Sequence, residues 1–163
     1  MKNIDEELNE VQNLFSKGSY QLALRKINKV IKNDKQNYIA YNYRGIILVA
    51  LKKSSEAIKD FRKTLELNPD FTEAIGNIGM AFHEMNYLEE AIKNYKKAYE
   101  LSELVQFEIN LGNLYLQIRK NEKAIHHFNS SLKKDNRNEY VHQLLAEAYI
   151  RDLKYDLAIE HHK

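Results

Sequence analysis

Two histidine pairs, His126-His127 and His161-His162, are the side chains that first suggest metal chemistry in this sequence. Neighbouring helical residues point about 100° apart, so neither pair converges on one ion. His127 and His161 stand one repeat apart and can approach across layers. The chain has no cysteine and sets no carboxylate cluster beside them, whereas a zinc site draws three or four ligands from such groups. The histidines are therefore read as solvated surface groups, and no metal and no cofactor are expected. Other chemistry finds no better footing. The sequence contains no GxGxxG or GxxxxGK[ST] loop, no HExxH and no GxSxG. Glu89-Glu90 is an acidic pair on one helix surface, and carboxylate catalysis needs two groups oriented across a substrate. No catalytic residue is assigned, and the expectation is that the chain is not an enzyme.

Charge excludes further classes. The 163 residues carry 25 Lys and Arg against 23 Asp and Glu, a net charge of +2. A basic stripe does recur: Arg25, Lys26 and Lys29; Lys59, Arg62 and Lys63; Lys93, Lys96 and Lys97. Acids are interleaved with it, and it fades where Asn129 and Ser130 take over, so it is read as a solvated face rather than a nucleic-acid surface. The longest apolar run, Ile46 to Leu51, is far short of the roughly 20 residues that span a bilayer. No apolar stretch follows Lys2 as a leader would require. A cytoplasmic location is expected, with no membrane partner.

One proline and five glycines among many Lys, Glu, Leu, Ala and Ile residues favour helices. Their arrangement repeats. Ala23, Ala57, Ala91, Ala124 and Ala158 are spaced by 34, 34, 33 and 34 residues. About a dozen residues earlier come Val11, Gly45, Gly79, Gly112 and Ala146. Between these markers, Ala74, Ile75, Ile78, Ala81, Phe82 and Met85 fall on one helical face. Leu88, Ala91, Ile92, Tyr95, Ala98 and Tyr99 fall on another, and Asn86-Tyr87 turns between them. Each unit is thus a hairpin of two helices of about 14 residues. A mid-helix glycine costs about 1 kcal/mol, so its recurrence implies close approach of two helix backbones, with the recurrent alanines as the matching small surface. Pro69 redirects the chain after Leu67-Asn68.

With these residues in view, the chain resembles the tetratricopeptide repeat family. Asn77-Ile78-Gly79 with Phe82, and Asn110-Leu111-Gly112 with Tyr115, match the family's first helix. Ala91, Tyr95 and Ala98, and Glu66-Leu67-Asn68-Pro69, match its second. The resemblance implies an all-α fold, a right-handed α-solenoid of tandem antiparallel helix hairpins. It implies a single array with repeats at about 4–37, 38–71, 72–104, 105–138 and 139–163, the last truncated. The first repeat is degenerate, with Glu7 and Glu10 at usually apolar positions. The third is one residue short near Leu101-Ser102-Glu103-Leu104, where a tightened turn is expected.

The resemblance also implies a binding surface. First helices of such repeats line a concave groove that holds an extended peptide or a protein segment. The groove positions include Ile39, Asn42, Tyr43, Ile46 and Val49; Glu73, Asn77, Met80 and His83; Gln106, Ile109, Asn110, Asn113 and Gln117; and Gln143, Leu144, Glu147 and Arg151. The groove reads as neutral. Asn42, Tyr43, Asn77, Met80, His83, Asn110 and Asn113 are the candidate ligand-binding residues. A side-chain amide offers a donor and an acceptor in one plane. Helix layers roughly 8–10 Å apart would let such amides hold about every third residue of an extended chain. Some family members clamp a C-terminal carboxylate; the matching positions here are Leu8, Gln12, Tyr43, Glu73 and Asn77, without cations. Chaperone-tail binding is therefore disfavoured. Tyr95, Tyr99, Tyr115 and Tyr149 are expected in the core. Exposed stripe residues such as Leu157 and Ile159 raise two alternatives: a homo-oligomer through the C-terminal end, or an N-terminal module of a longer enzyme.

Overall fold

The computed structural model describes residues 4–161. His162 and Lys163, part of the second histidine pair and of the last repeat, lie outside them. Among the described residues there are ten helices and no strand. They are α1 (Ile4–Ser16), α2 (Tyr20–Asn33), α3 (Tyr38–Ala50), α4 (Ser54–Leu67), α5 (Glu73–Glu84), α6 (Leu88–Ser102), α7 (Val105–Gln117), α8 (Asn121–Leu132), α9 (Glu139–Arg151) and α10 (Tyr155–Glu160). Two compact units result, Met1–Ala91 and Ile92–Lys163.

The hairpin turns share one solution. Gly18, Lys52, Asn86, Arg119 and Leu153 all take positive φ, between 59° and 71°. In the α3–α4 turn, the Lys52 N–H donates to Val49 O at 2.9 Å and the Lys53 N–H to Leu48 O at 2.8 Å. These paired bonds satisfy the last carbonyls of the first helix and reverse the chain. Only Gly18 adopts that backbone without a Cβ penalty. Asn37 and Asn138 open α3 and α9, their side chains accepting from the Ala40 and Val141 N–H groups. The chain leaves α4 at Leu67, with the Asn68 N–H on Thr64 O, and Asn68 Oδ1 then takes the Asp70 N–H. The connection after α6 is indeed tight: Glu103 and Leu104 alone separate α6 from α7, and Glu103 has φ 52°.

In the first unit, Val11, Ala23, Ile27, Val30, Ala40 and Ile47 form one buried cluster. Ala57, Phe61, Ala74, Ile78 and Ala81 form another, with Leu48 and Val49. In the second unit Leu111, Leu114, Phe128, Val141 and Leu145 are sealed from solvent. The recurrent alanines are fully or almost fully buried. At Gly45 and Gly112 the side chain nearest the missing Cβ is an aromatic ring. A Cβ on Gly45 would lie 2.4 Å from Phe61 Cε1, and one on Gly112 would lie 2.3 Å from Phe128 Cε1. The ring one turn beyond each alanine fills the space, burying an aromatic worth about 1.5–3 kcal/mol. Tyr95, Tyr115 and Tyr149 are buried as expected, and Tyr99 is half-buried beneath the Lys134 ammonium. Burial pushes the Tyr95 phenol above its ordinary range.

Candidate ligand-binding faces

Helices α1, α3 and α5 carry the candidate residues of the first unit. Asn42 is buried, and its Oδ1 accepts from Asn77 Nδ2 at 2.8 Å. The two amides expected to reach outward thus bond each other. Asn42 thereby orients Asn77, which is half-buried. Tyr43 is half-buried and its hydroxyl accepts from Gln12 Nε2. Met80 packs against the core cluster of α3, α4 and α5, and His83 is half-buried on α5. Val49, expected to line the groove, is instead buried. Between α1 and α3 lies a cavity of about 160 Å³ walled by Val11, Phe15, Ile46 and Ile47, with Gln12 and Tyr43 also lining it. The sequence reading named Tyr43 and Ile46 but missed the cavity, whose walls come from helices a whole repeat apart.

In the second unit, Asn110 is half-buried, and its Oδ1 accepts from Gln106 Nε2 at 3.0 Å within α7. Ile109 is buried rather than open to a groove. Asn113 lines a recess of about 420 Å³ together with Leu116, Gln117, Arg119 and Arg151.

The histidines are not solvated surface groups as a class. His127 Nδ1 meets Glu108 Oε2 at 2.5 Å, its ring stacks on Tyr115, and the buried Glu108 also accepts from Ser130 Oγ at 3.0 Å. Ser130 bonds the carboxylate and not the imidazole, so the trio is no nucleophilic triad. His161 Nδ1 meets His142 Nδ1 at 2.8 Å. These pairs occupy corresponding places: Glu108 and His142 are 34 residues apart, as are His127 and His161. Asp60 belongs to the polar pair of an earlier hairpin, and there Arg44 grips it through Nε and Nη2 at 2.7 and 2.6 Å. Each of these hairpins therefore carries its own polar pair across the helix crossing. His127 and His161 each bond within their own hairpin. Among the described residues no group of three potential metal ligands assembles. Among them, too, no helix is long and apolar enough to cross a membrane.

Comparison with known proteins agrees with the helix-hairpin fold. Tetratricopeptide repeat models match residues 38–71 and 72–103. Tetratricopeptide repeat protein 6 of Homo sapiens is 28% identical over 130 residues, covering 79% of this chain and 25% of that protein. Heat shock protein STI1 of Saccharomyces cerevisiae is 32% identical over 88 residues, covering 53% of this chain and 15% of that protein. The chain thus spans a quarter or less of the length of these relatives. Among solved structures, a thermophilic TPR protein of Thermus thermophilus superposes with a TM-score of 0.83 at 18% identity, covering 98% of this chain and 88% of that one. That likeness shows the fold, an α-solenoid of tandem helix hairpins.

Proposed function

Because the chain belongs to the tetratricopeptide repeat family, we propose that it is a non-catalytic protein-interaction scaffold whose first-helix faces hold a peptide or protein segment. The observation that carries this reading is the cavity between α1 and α3. Its walls are Val11, Phe15, Ile46 and Ile47, and a bonded polar pair, Gln12 and Tyr43, lines it as well. An aliphatic side chain fits such a space, and burying one contributes about 1.5–3 kcal/mol. Polar groups beside an apolar cavity fix the orientation of what enters it. Asn77, held by Asn42 on the neighbouring helix, offers an acceptor to the backbone of the same ligand.

The test is selection of a displayed random-peptide library on the purified chain. Enriched peptides should share a bulky aliphatic or aromatic residue. A Tyr43→Ala/Asn77→Ala variant with unchanged helical content should lose them at least tenfold. Equal binding by that variant would move the site away from this face.

A second reading is self-association. Ile150, Leu153, Tyr155, Leu157 and Ile159 are all exposed on α9, α10 and the turn between them, an apolar patch that a second copy would cover. Sedimentation velocity across a concentration series, compared with a Leu157→Lys/Ile159→Lys variant, tests it. A monomer at every concentration refutes it.

A further inference from the structure

We propose that the second unit holds a carboxylate-binding recess, built by Arg119 and Arg151, which receives an acidic side chain of the partner segment. The proposal rests on the scaffold reading and adds the chemistry that the partner must carry.

Two adjoining recesses share these arginines as walls. One, of about 420 Å³, is completed by Asn113, Leu116 and Gln117; the other, of about 340 Å³, by Asn121. No described lining residue of either is a carboxylate. Arg119 sits in the α7–α8 turn, where its positive φ of 59° is set by the hairpin. Arg151 ends α9 and is fixed in place: its Nη1 donates to Leu116 O at 3.2 Å and its Nη2 to Glu147 Oε1 at 2.6 Å. Those two bonds leave other guanidinium N–H groups of Arg151 available. They also orient it in advance, so little side-chain freedom is lost on binding.

The first turn of α8 adds to the same field. Its N-cap, Lys120, makes no side-chain capping bond, so the cap side chain does not offset the partial positive charge of the helix start. Asn121, the first residue of α8, lines the smaller recess, and its buried Oδ1 has no partner among the described residues.

Charge selects among anions. Glu147 offsets Arg151, so Arg119, Arg151 and Glu147 sum to one positive charge. That matches a singly charged carboxylate better than a doubly charged phosphate. Arginine pairs with carboxylates through two parallel N–H bonds. The recess is also distinct from the family's carboxylate clamp, whose positions fall on Leu8, Gln12, Tyr43, Glu73 and Asn77 in the first unit.

The experiment is fluorescence anisotropy at low salt with a labelled octapeptide alternating glutamate and alanine, against its glutamine counterpart. The glutamate peptide should bind at least tenfold more tightly than the glutamine one, with affinity falling as salt rises. Arg119→Gly suits the positive φ and leaves the fold intact; it should weaken binding at least fivefold, and Arg151→Gln similarly. Equal affinity for the two peptides, or full retention by Arg119→Gly, overturns the proposal. So does displacement of the peptide by inorganic phosphate at far lower concentration than by acetate, which would assign the recess to phosphate. If the library-selected peptides still bind while the glutamate peptide does not, the scaffold reading stands and the recess falls. If the glutamate peptide binds through the arginines while no library peptide is selected, the recess stands without the cavity between α1 and α3.

Discussion

Gly45 and Phe61 occupy the same small volume: a Cβ on Gly45 would stand 2.4 Å from the Phe61 ring. The ring is fully buried and cannot move aside without opening the crossing of α3 and α4. Gly45→Ala gains about 1 kcal/mol of helix propensity, but overpacking costs typically 1–3 kcal/mol. The clash is close enough to sit at the upper end, so a net destabilisation of about 1–2 kcal/mol is expected in urea unfolding. Phe61→Leu should remove most of that penalty for a second substitution at Gly45. A double-mutant cycle showing no coupling would refute the assignment.

The same pair shows what the sequence could and could not disclose. The period, the helices and their turns were legible because small residues, apolar stripes and punctuators recur with each hairpin. What fills the space beside Gly45 and Gly112 was not legible. Alanines recur at every unit, whereas the ring that needs the space lies one turn beyond them and reaches the glycine through its side-chain geometry. The Asn42–Asn77 bond spans 35 residues, and nothing local distinguishes it from two amides facing water. Glu108 likewise meets His127, and Arg119 and Arg151 come to line one recess, only through packing of elements distant in sequence. The fold was therefore written in local pattern, and the candidate sites in pairings that local pattern does not encode.

Leu153 is 72% exposed and holds φ 59° in the α9–α10 turn. A left-handed backbone costs a non-glycine residue roughly 1–2 kcal/mol. Glycine there loses about 0.4–1 kcal/mol of that gain to its freer unfolded chain. Leu153→Gly should therefore stabilise the chain by about 0.5–1 kcal/mol. A lowered thermal midpoint would show that the leucine side chain contributes packing that outweighs its backbone strain.

Glu108 is buried and serves both His127 and Ser130. Glu108→Ala leaves these two groups without their acceptor, a loss of about 1–3 kcal/mol. Glu108→Gln keeps an acceptor for one of them and should lose less. Chemical denaturation of the two variants beside wild type checks the order. Equal losses would mean that the carboxylate's volume, not its hydrogen bonds, holds the α7–α8 crossing.

His161 supplies a pH dependence with a definite sign. Its folded pKa is lowered from 6.5, first by burial, then by the neighbouring His142, with Glu160 opposing. The ring stacks on His142 and Tyr149, and the other nitrogen of His142 lies 3.0 Å from Asn136 O. That carbonyl can only accept, so His142 Nε2 carries a proton and its Nδ1, when the ring is neutral, accepts from His161. Because the unfolded chain takes up the His161 proton more readily, stability from this group is fully present above pH 6.5. It falls as pH drops through that value toward the lowered folded one. The loss should localise to α10, whose six residues dock on α9 beside this pair. Amide exchange of α10 should accelerate below pH 6.5 relative to α9 in wild type, after correction for intrinsic rates. In His161→Gln the difference should flatten, since glutamine carries no charge at either pH. Acceleration that persists unchanged in that variant would place the titrating group elsewhere in the second unit.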